Sequence, residues 1–234
     1  MILNWSSNII NDINSILLPK LCFGCNEQLF RGEHILCTFC RHDLPFTDQN
    51  FSEENAVDRI FYGRAHISKA ASFLYFHKNG KAKQLLHALK YQNQEQIGSY
   101  FGAWFGQKIA NDFANISLAG IVPVPLHPKK LKQRGYNQLD GFGKALAHEL
   151  NTSYLPQILY KTANTRTQTK KTRLNRWKNV QELYKVKDAA QLNGKSILLI
   201  DDVITTGATL EACINALHTI PNVNIYVATL AVVP

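Results

Sequence analysis

No run of apolar residues in this 234-residue chain approaches the roughly 18 to 20 needed to cross a bilayer; the longest is the short Tyr226 to Val233 segment. A membrane-spanning helix is therefore not expected. The N-terminus has no basic lead-in, and Asn4, Asn8, Asn11, Asp12 and Asn14 interrupt its apolar residues, so no signal-peptide core forms. The expected location is the cytoplasm. In that compartment the sequons at Asn4, Asn50, Asn115 and Asn151 carry no glycan, and the five cysteines are metal ligands or core thiols rather than disulfides. Charge is also sparse, at 18% of residues against 45% hydrophobic, which excludes disorder as the dominant state.

Acidic residues are the scarcer sign, 17 Asp plus Glu against 26 Lys plus Arg, for a formal net charge of +9. The excess is concentrated. Residues 129 to 187 hold 14 of the 26 basic residues with only Asp140, Glu149 and Glu182 to oppose them. So one-sided a field suits a polyanionic partner, either a nucleic acid backbone or a small ligand with several phosphates, or else forms a solvated basic face.

The length allows one domain, or one domain carrying a small module. From Ile2 to Leu17, apolar residues at three- and four-residue steps predict an amphipathic helix ending before Pro19. Four cysteines follow, and the polar, acidic stretch Thr47 to Asp58 reads as a linker. The boundary falls near residue 60, giving a helix-plus-cysteine module over 1–60 and a second domain over 61–234. In that domain Ala70 to Phe76, Ala119 to Val124, Ser196 to Ile200 and Val223 to Val233 read as strands. Lys81 to Tyr91, Gln94 to Phe113, Gln138 to Leu150 and Thr209 to His218 read as helices. Strands separated by helices predict an α/β fold with a parallel sheet, and ligands in such a sheet sit at the carboxyl ends of the strands.

Cys22, Cys25, Cys37 and Cys40 form two C-x2-C pairs separated by eleven residues. Each pair makes a tight knuckle, and four thiolates supply tetrahedral Zn²⁺ geometry. A thioredoxin-like redox pair would need only one such motif in a strand–helix context. Four thiolates close the coordination shell, so the expected zinc is structural, with folding or partner docking as its task. His34 and His42 are then surplus and face solvent, and Cys213, in an apolar helical stretch, is a core thiol.

Residues 198 to 210 read LLIDDVITTGATL: an apolar strand, two carboxylates, a turn of small and hydroxyl residues, and a helix. The turn offers backbone N–H groups, threonine hydroxyls and the positive end of a helix dipole to one phosphate, with Gly207 allowing close approach. Asp201 and Asp202 can accept hydrogen bonds from vicinal sugar hydroxyls. A carboxylate pair beside a phosphate cradle favours a sugar phosphate over phosphate alone. The bland alternative is an N-capped helix behind ordinary loop acids. A P-loop does not fit, because the Gly194 to Ser196 tripeptide precedes its strand and lacks the upstream glycine.

This string resembles the phosphoribosyl pyrophosphate (PRPP) signature of type I phosphoribosyltransferases. Together with VPVPLHPKKLKQRGYNQ (Val122 to Gln138), TRTQTKKTRLNRWKNVQELY (Thr165 to Tyr184) and the four-cysteine knuckle, it resembles the ComF family of competence-associated, phosphoribosyltransferase-like proteins. The likeness covers nearly the full length. It implies that Asp201 and Asp202 hold the ribose hydroxyls and that Thr205, Thr206, Gly207, Ala208 and Thr209 hold the 5′-phosphate. It further implies that Pro125 to Arg134 meets pyrophosphate, that a loop from Arg166 to Arg176 closes over the ligand, and that Mg²⁺ arrives chelated to pyrophosphate. Asp201, Asp202 and Arg134 are the expected catalytic residues, with Arg166 joining them in PRPP binding. Trp177 and Tyr184 are base-stacking candidates or core.

The implied activity is transfer or sensing of a phosphoribosyl group in support of DNA uptake during natural transformation, with an unidentified acceptor. Two alternatives stand beside it. One is a non-catalytic accessory that handles single-stranded DNA, alone or with a DNA-translocating ATPase. The other is an amidophosphoribosyltransferase-like enzyme of nucleotide metabolism, although no N-terminal glutaminase nucleophile is visible, Cys22 belonging to the zinc set.

Overall fold

The computed structural model describes residues 19–162 and 183–234. The expected N-terminal helix, the whole of the expected loop from Arg166 to Arg176, and Trp177 lie outside them. In chain order the elements are α1 (Thr38–His42), α2 (Ala56–Ile60), β1 (Lys69–Tyr75), α3 (Lys81–Tyr91) and α4 (Glu95–Ile109), which runs into a 3₁₀ turn, Ala110–Phe113. Then come β2 (Leu118–Pro123), α5 (Pro128–Arg134), α6 (Leu139–Glu149), β3 (Leu159–Lys161) and β4 (Tyr184–Val186). The chain ends with β5 (Ser196–Ile204), α7 (Ala208–Leu217) and β6 (Asn224–Val232).

Four strands form one parallel sheet in the order β1-β6-β5-β2, and β3 pairs with β4 in a separate antiparallel ribbon. The parallel α/β expectation holds. Strands covered on both faces carry continuous rather than alternating apolar sequence; accordingly Ile197, Leu198, Leu199 and Ile200 of β5 are all fully buried. On one face α6 packs against β2 and β5, with α4 against α6. That second contact is close: a Cβ at Gly102 would sit 2.4 Å from the Phe142 carbonyl oxygen, so glycine there permits the backbone approach. The β3–β4 ribbon lies against α7. Among the described residues, no helix is long and apolar enough to cross a membrane.

Two segments differ from the sequence reading. Strand β5 runs past Ile200 to Ile204, because Asp201, Val203 and Ile204 keep pairing with β6 after the β2 partner ends at Pro123. The stretch 47–58 is a packed strap and not a free linker. Just ahead of it, Phe46 bridges to Leu74 and sets its ring 5.2 Å from Phe73 and 4.9 Å from Trp104. Phe51 is buried against Phe113 at 4.8 Å, and its N–H donates to Asp112 at 3.0 Å. Asn55 and Asp58 form a capping box on α2, and buried Asp58 also accepts from the Ala70 N–H at 2.7 Å and from Lys69 at 3.3 Å. Two aromatic anchors and two local caps outweigh the polar composition that suggested a linker.

Candidate functional site

Because all four sheet strands run in one direction, their carboxyl ends share an edge. The last β2–β5 pair is Pro123 with Ile200, and the Val124 N–H reaches the Ile200 carbonyl at 2.9 Å. The chain leaving β2 through Pro125 therefore starts beside Asp201 and Asp202.

After Ile204 the chain turns through Thr205 and Thr206 to Gly207, which is the N-cap of α7 with φ 74° and ψ −1°. A left-handed residue at that point must be glycine or strained. Space forbids a side chain as well, since a Cβ on Gly207 would lie 2.7 Å from Ile60 Cγ2. Thr205, Thr206, Ala208 and Thr209 face outward, and no side chain among the described residues caps the first turn of α7. The start of α7, the turn and Asp201 line a small cavity of about 60 Å³. Free amides at the positive end of a helix suit one anionic group.

The two carboxylates sit on opposite faces of β5, as the two-residue period of a strand requires. Asp202 is buried and looks toward α3 and α6: its Oδ2 accepts from Gln138 Nε2 at 2.7 Å and lies 2.9 Å from the Lys90 ammonium. Asp201 faces the α7 and ribbon side, where Lys161, Tyr184 and Cys213 share its electrostatic environment. Burial chiefly, and then the charge of Asp202, push the Asp201 carboxyl up to about 8, against the opposing pull of the Asp202 N–H, Lys90 and Lys161. The Asp202 N–H donates to Asp201 Oδ1 at 2.8 Å. Cys213 is fully buried, a core thiol as expected, and Tyr184 is likewise core.

Arg134 closes α5, a helix that the sequence reading did not anticipate. His127 caps its start and left-handed Gly135 ends it. The Arg134 guanidinium donates to Gln138 Oε1 at 2.7 Å and stands 5.0 Å over the Tyr91 ring. One amide side chain therefore links Arg134 to Asp202. Lys90, Tyr91, Asn93, Lys130, Arg134 and Tyr136 line an open cavity of about 400 Å³ beside this network. Three cations at its wall make it a place for anionic groups.

The structure brings Asp201, Asp202, Pro125, Arg134 and the Thr205–Thr209 turn to one edge; Arg166 lies outside the described residues. Lys90, Gln138 and Tyr91 escaped the sequence reading. Lys90 and Tyr91 end a helix read only for its buried stripe, and Gln138 was read as a helix start and as the end of the Val122–Gln138 string, with no site role of its own. Nothing in their spacing points to a strand so distant in sequence.

Away from this edge, one sulfur from each of Cys22, Cys25, Cys37 and Cys40 lies within 4.8 Å of the others, close to the ~3.8 Å separation that a tetrahedral four-thiolate zinc imposes. Backbone N–H groups already point at the sulfurs: those of Gly24 and Cys37 donate to Cys22 Sγ at 3.3 and 3.2 Å, and that of Cys40 to Cys37 Sγ at 3.4 Å. All four thiols are unbridged, so the set fits a metal such as zinc. His34 and His42 are exposed, as expected.

Residues 141–232 match a family described as the phosphoribosyl transferase domain. Competence protein F of Haemophilus influenzae is 25% identical over 199 residues, covering 82% of this chain and 81% of its own length. Competence protein ComFC of Bacillus subtilis is 24% identical over 192 residues, covering 82% and 75%. The DNA utilization protein YhgH of Salmonella typhimurium is 29% identical over 129 residues, covering 54% of this chain and 56% of that protein. Competence proteins matching across most of its length, and a match to a phosphoribosyl transferase domain that follows a four-cysteine cluster, together support the ComF family for this chain.

Proposed function

We propose that this protein binds PRPP and transfers its phosphoribosyl group to an acceptor. The observation that carries the reading is the uncapped α7 start behind left-handed Gly207, with Asp201 lining the same small cavity. The turn Thr205–Thr209 holds the 5′-phosphate, and Asp201 and Asp202 orient the ribose hydroxyls. The loop from Pro125 to Arg134 receives pyrophosphate, with Lys90 and Lys130 adding positive charge at the same cavity. Arg166 contributes from the sequence between β3 and β4.

In the transfer step the bond from the anomeric carbon to the pyrophosphate oxygen breaks, and a bond forms from that carbon to the acceptor's nucleophilic atom. Pyrophosphate departs with the bonding electron pair, and the acceptor loses its proton to solvent. The sugar becomes cation-like on the way, so the Asp202 carboxylate stabilises it, while Arg134 stabilises the departing anion. Mg²⁺ entering with PRPP would neutralise pyrophosphate charge. Zinc on the four cysteines would hold the N-terminal module together and take no part in the reaction. The setting is cytoplasmic.

A second reading, a non-catalytic accessory that handles single-stranded DNA with a DNA-translocating ATPase, is favoured by the competence and DNA-utilization names of the relatives and by the exposed Lys129, Lys130 and Lys132 of α5. Incubation with labelled PRPP, Mg²⁺ and a panel of bases and amines separates the two. The transferase reading expects pyrophosphate release that depends on one acceptor. PRPP bound but never consumed across the panel would turn the proposal from transfer to sensing.

A further inference from the structure

The chain just ahead of β1 reaches the phosphate turn from behind. Beyond α2, Gly63 adopts φ 68°, and the next residue, Arg64, crosses to the start of α7. Its Nη1 donates to the Thr206 carbonyl oxygen at 2.6 Å and to the Ile60 carbonyl oxygen at 3.3 Å. Its Nε and Nη2 donate to Glu211 Oε2 at 3.1 and 2.5 Å. One guanidinium thus ties α2, the turn and the first helical turn of α7 together. The contact of Ile60 with the Gly207 backbone leaves the turn resting directly on this support.

Glu211 gives the arrangement a second consequence. It is the acidic residue in the first turn of α7, and its carboxylate shares the helix end where a bound phosphate would sit. Unpaired, it would oppose that phosphate. The side chains are 38% and 15% exposed for Arg64 and Glu211, so solvent screens the pair less than a fully exposed one.

We infer that Arg64 is a positioning residue for the phosphate turn: it fixes the Thr206 peptide and cancels the Glu211 charge beside the incoming 5′-phosphate. The inference rests on the PRPP reading of the turn, and Arg64 itself touches no ligand in it. The planar fork matters, because a lysine supplies the charge but cannot span a carbonyl and a carboxylate with fixed geometry.

Two measurements test it. In the ligand-free protein, hydrogen exchange at the amides of Glu211 and Ala212, the first hydrogen-bonded ones of α7, should be at least tenfold faster in Arg64→Ala and intermediate in Arg64→Lys. In PRPP titrations with Mg²⁺, Arg64→Ala should bind at least tenfold more weakly, and adding Glu211→Gln in that background should restore part of the affinity, which a purely structural support would not do. Unchanged exchange and unchanged affinity in Arg64→Ala, with wild type binding PRPP, would overturn the Arg64 inference alone. Absence of PRPP binding by wild type would overturn it together with the reading beneath it.

Discussion

Asp201 and Asp202 are neighbours in sequence with different lives in the structure. Asp202 is held by Lys90 and Gln138 on one side of β5, while Asp201 lies on the other, its carboxyl pushed up to about 8 by burial and by the charge next door. The sign for stability follows. An unfolded aspartate titrates near about 4, so between there and the folded value the native state holds a proton that the unfolded chain has lost. Stability from this group is therefore fully present below about pH 4 and is lost as pH rises through about 8. Denaturant unfolding of ligand-free protein at pH 5 and pH 8 should show wild type weakening relative to Asp201→Asn at the higher pH. Parallel behaviour of the two proteins would remove the claim. The residue types of this site were legible, since two acids followed by Thr-Thr-Gly-Ala-Thr have few other uses together. The partners were not: Lys90 and Gln138 meet Asp202 only because α3 and α6 cross the same face of the sheet, and sequence spacing does not carry that information.

At the scale of elements, hydrophobic periodicity located all four sheet strands and the helices α3, α4, α6 and α7 to within a few residues, since each buries a continuous run or a helical stripe. What escaped were pieces held by local or distant contacts. Helix α5 buries none of its residues, and its signals are a proline at its start and Gly135 at its end. Helix α2 is short and stands on a capping box, and the strap before it is anchored by Phe46 and Phe51. The cysteine knuckles were the most legible element, because their spacing alone marks the four thiols as one cluster. Cys37 contributes twice there, as one of the four thiols that could hold a metal and as the N-cap whose sulfur receives the Cys40 N–H. Cys37→Ser should therefore lose the metal and loosen the segment from residue 19 to about 60, while PRPP binding remains measurable. Metal analysis and limited proteolysis check this, and full retention of one zinc per chain with unchanged protease resistance would refute the four-cysteine assignment.

For the whole molecule, the parallel sheet does the organising. It sends β2 and β5 to one edge, so the basic segment from Pro125 to Arg134 becomes a neighbour of the two acids and the Thr205–Thr209 turn that follow much later in sequence. Of the basic residues between 129 and 187, Lys130 and Arg134 are thereby brought to the same side as the acids, where with Lys90 they make a positively charged wall. Binding of PRPP is the claim on which transfer, sensing and the role of Arg64 all depend. Isothermal titration of wild type, Asp202→Asn and Gly207→Val with PRPP and Mg²⁺, each checked for native circular dichroism, tests it most directly. One PRPP per chain is predicted for wild type, with at least tenfold weaker binding, about 1.4 kcal/mol, in either folded variant. No heat from wild type at millimolar PRPP, or wild-type affinity in both folded variants, would contradict the account.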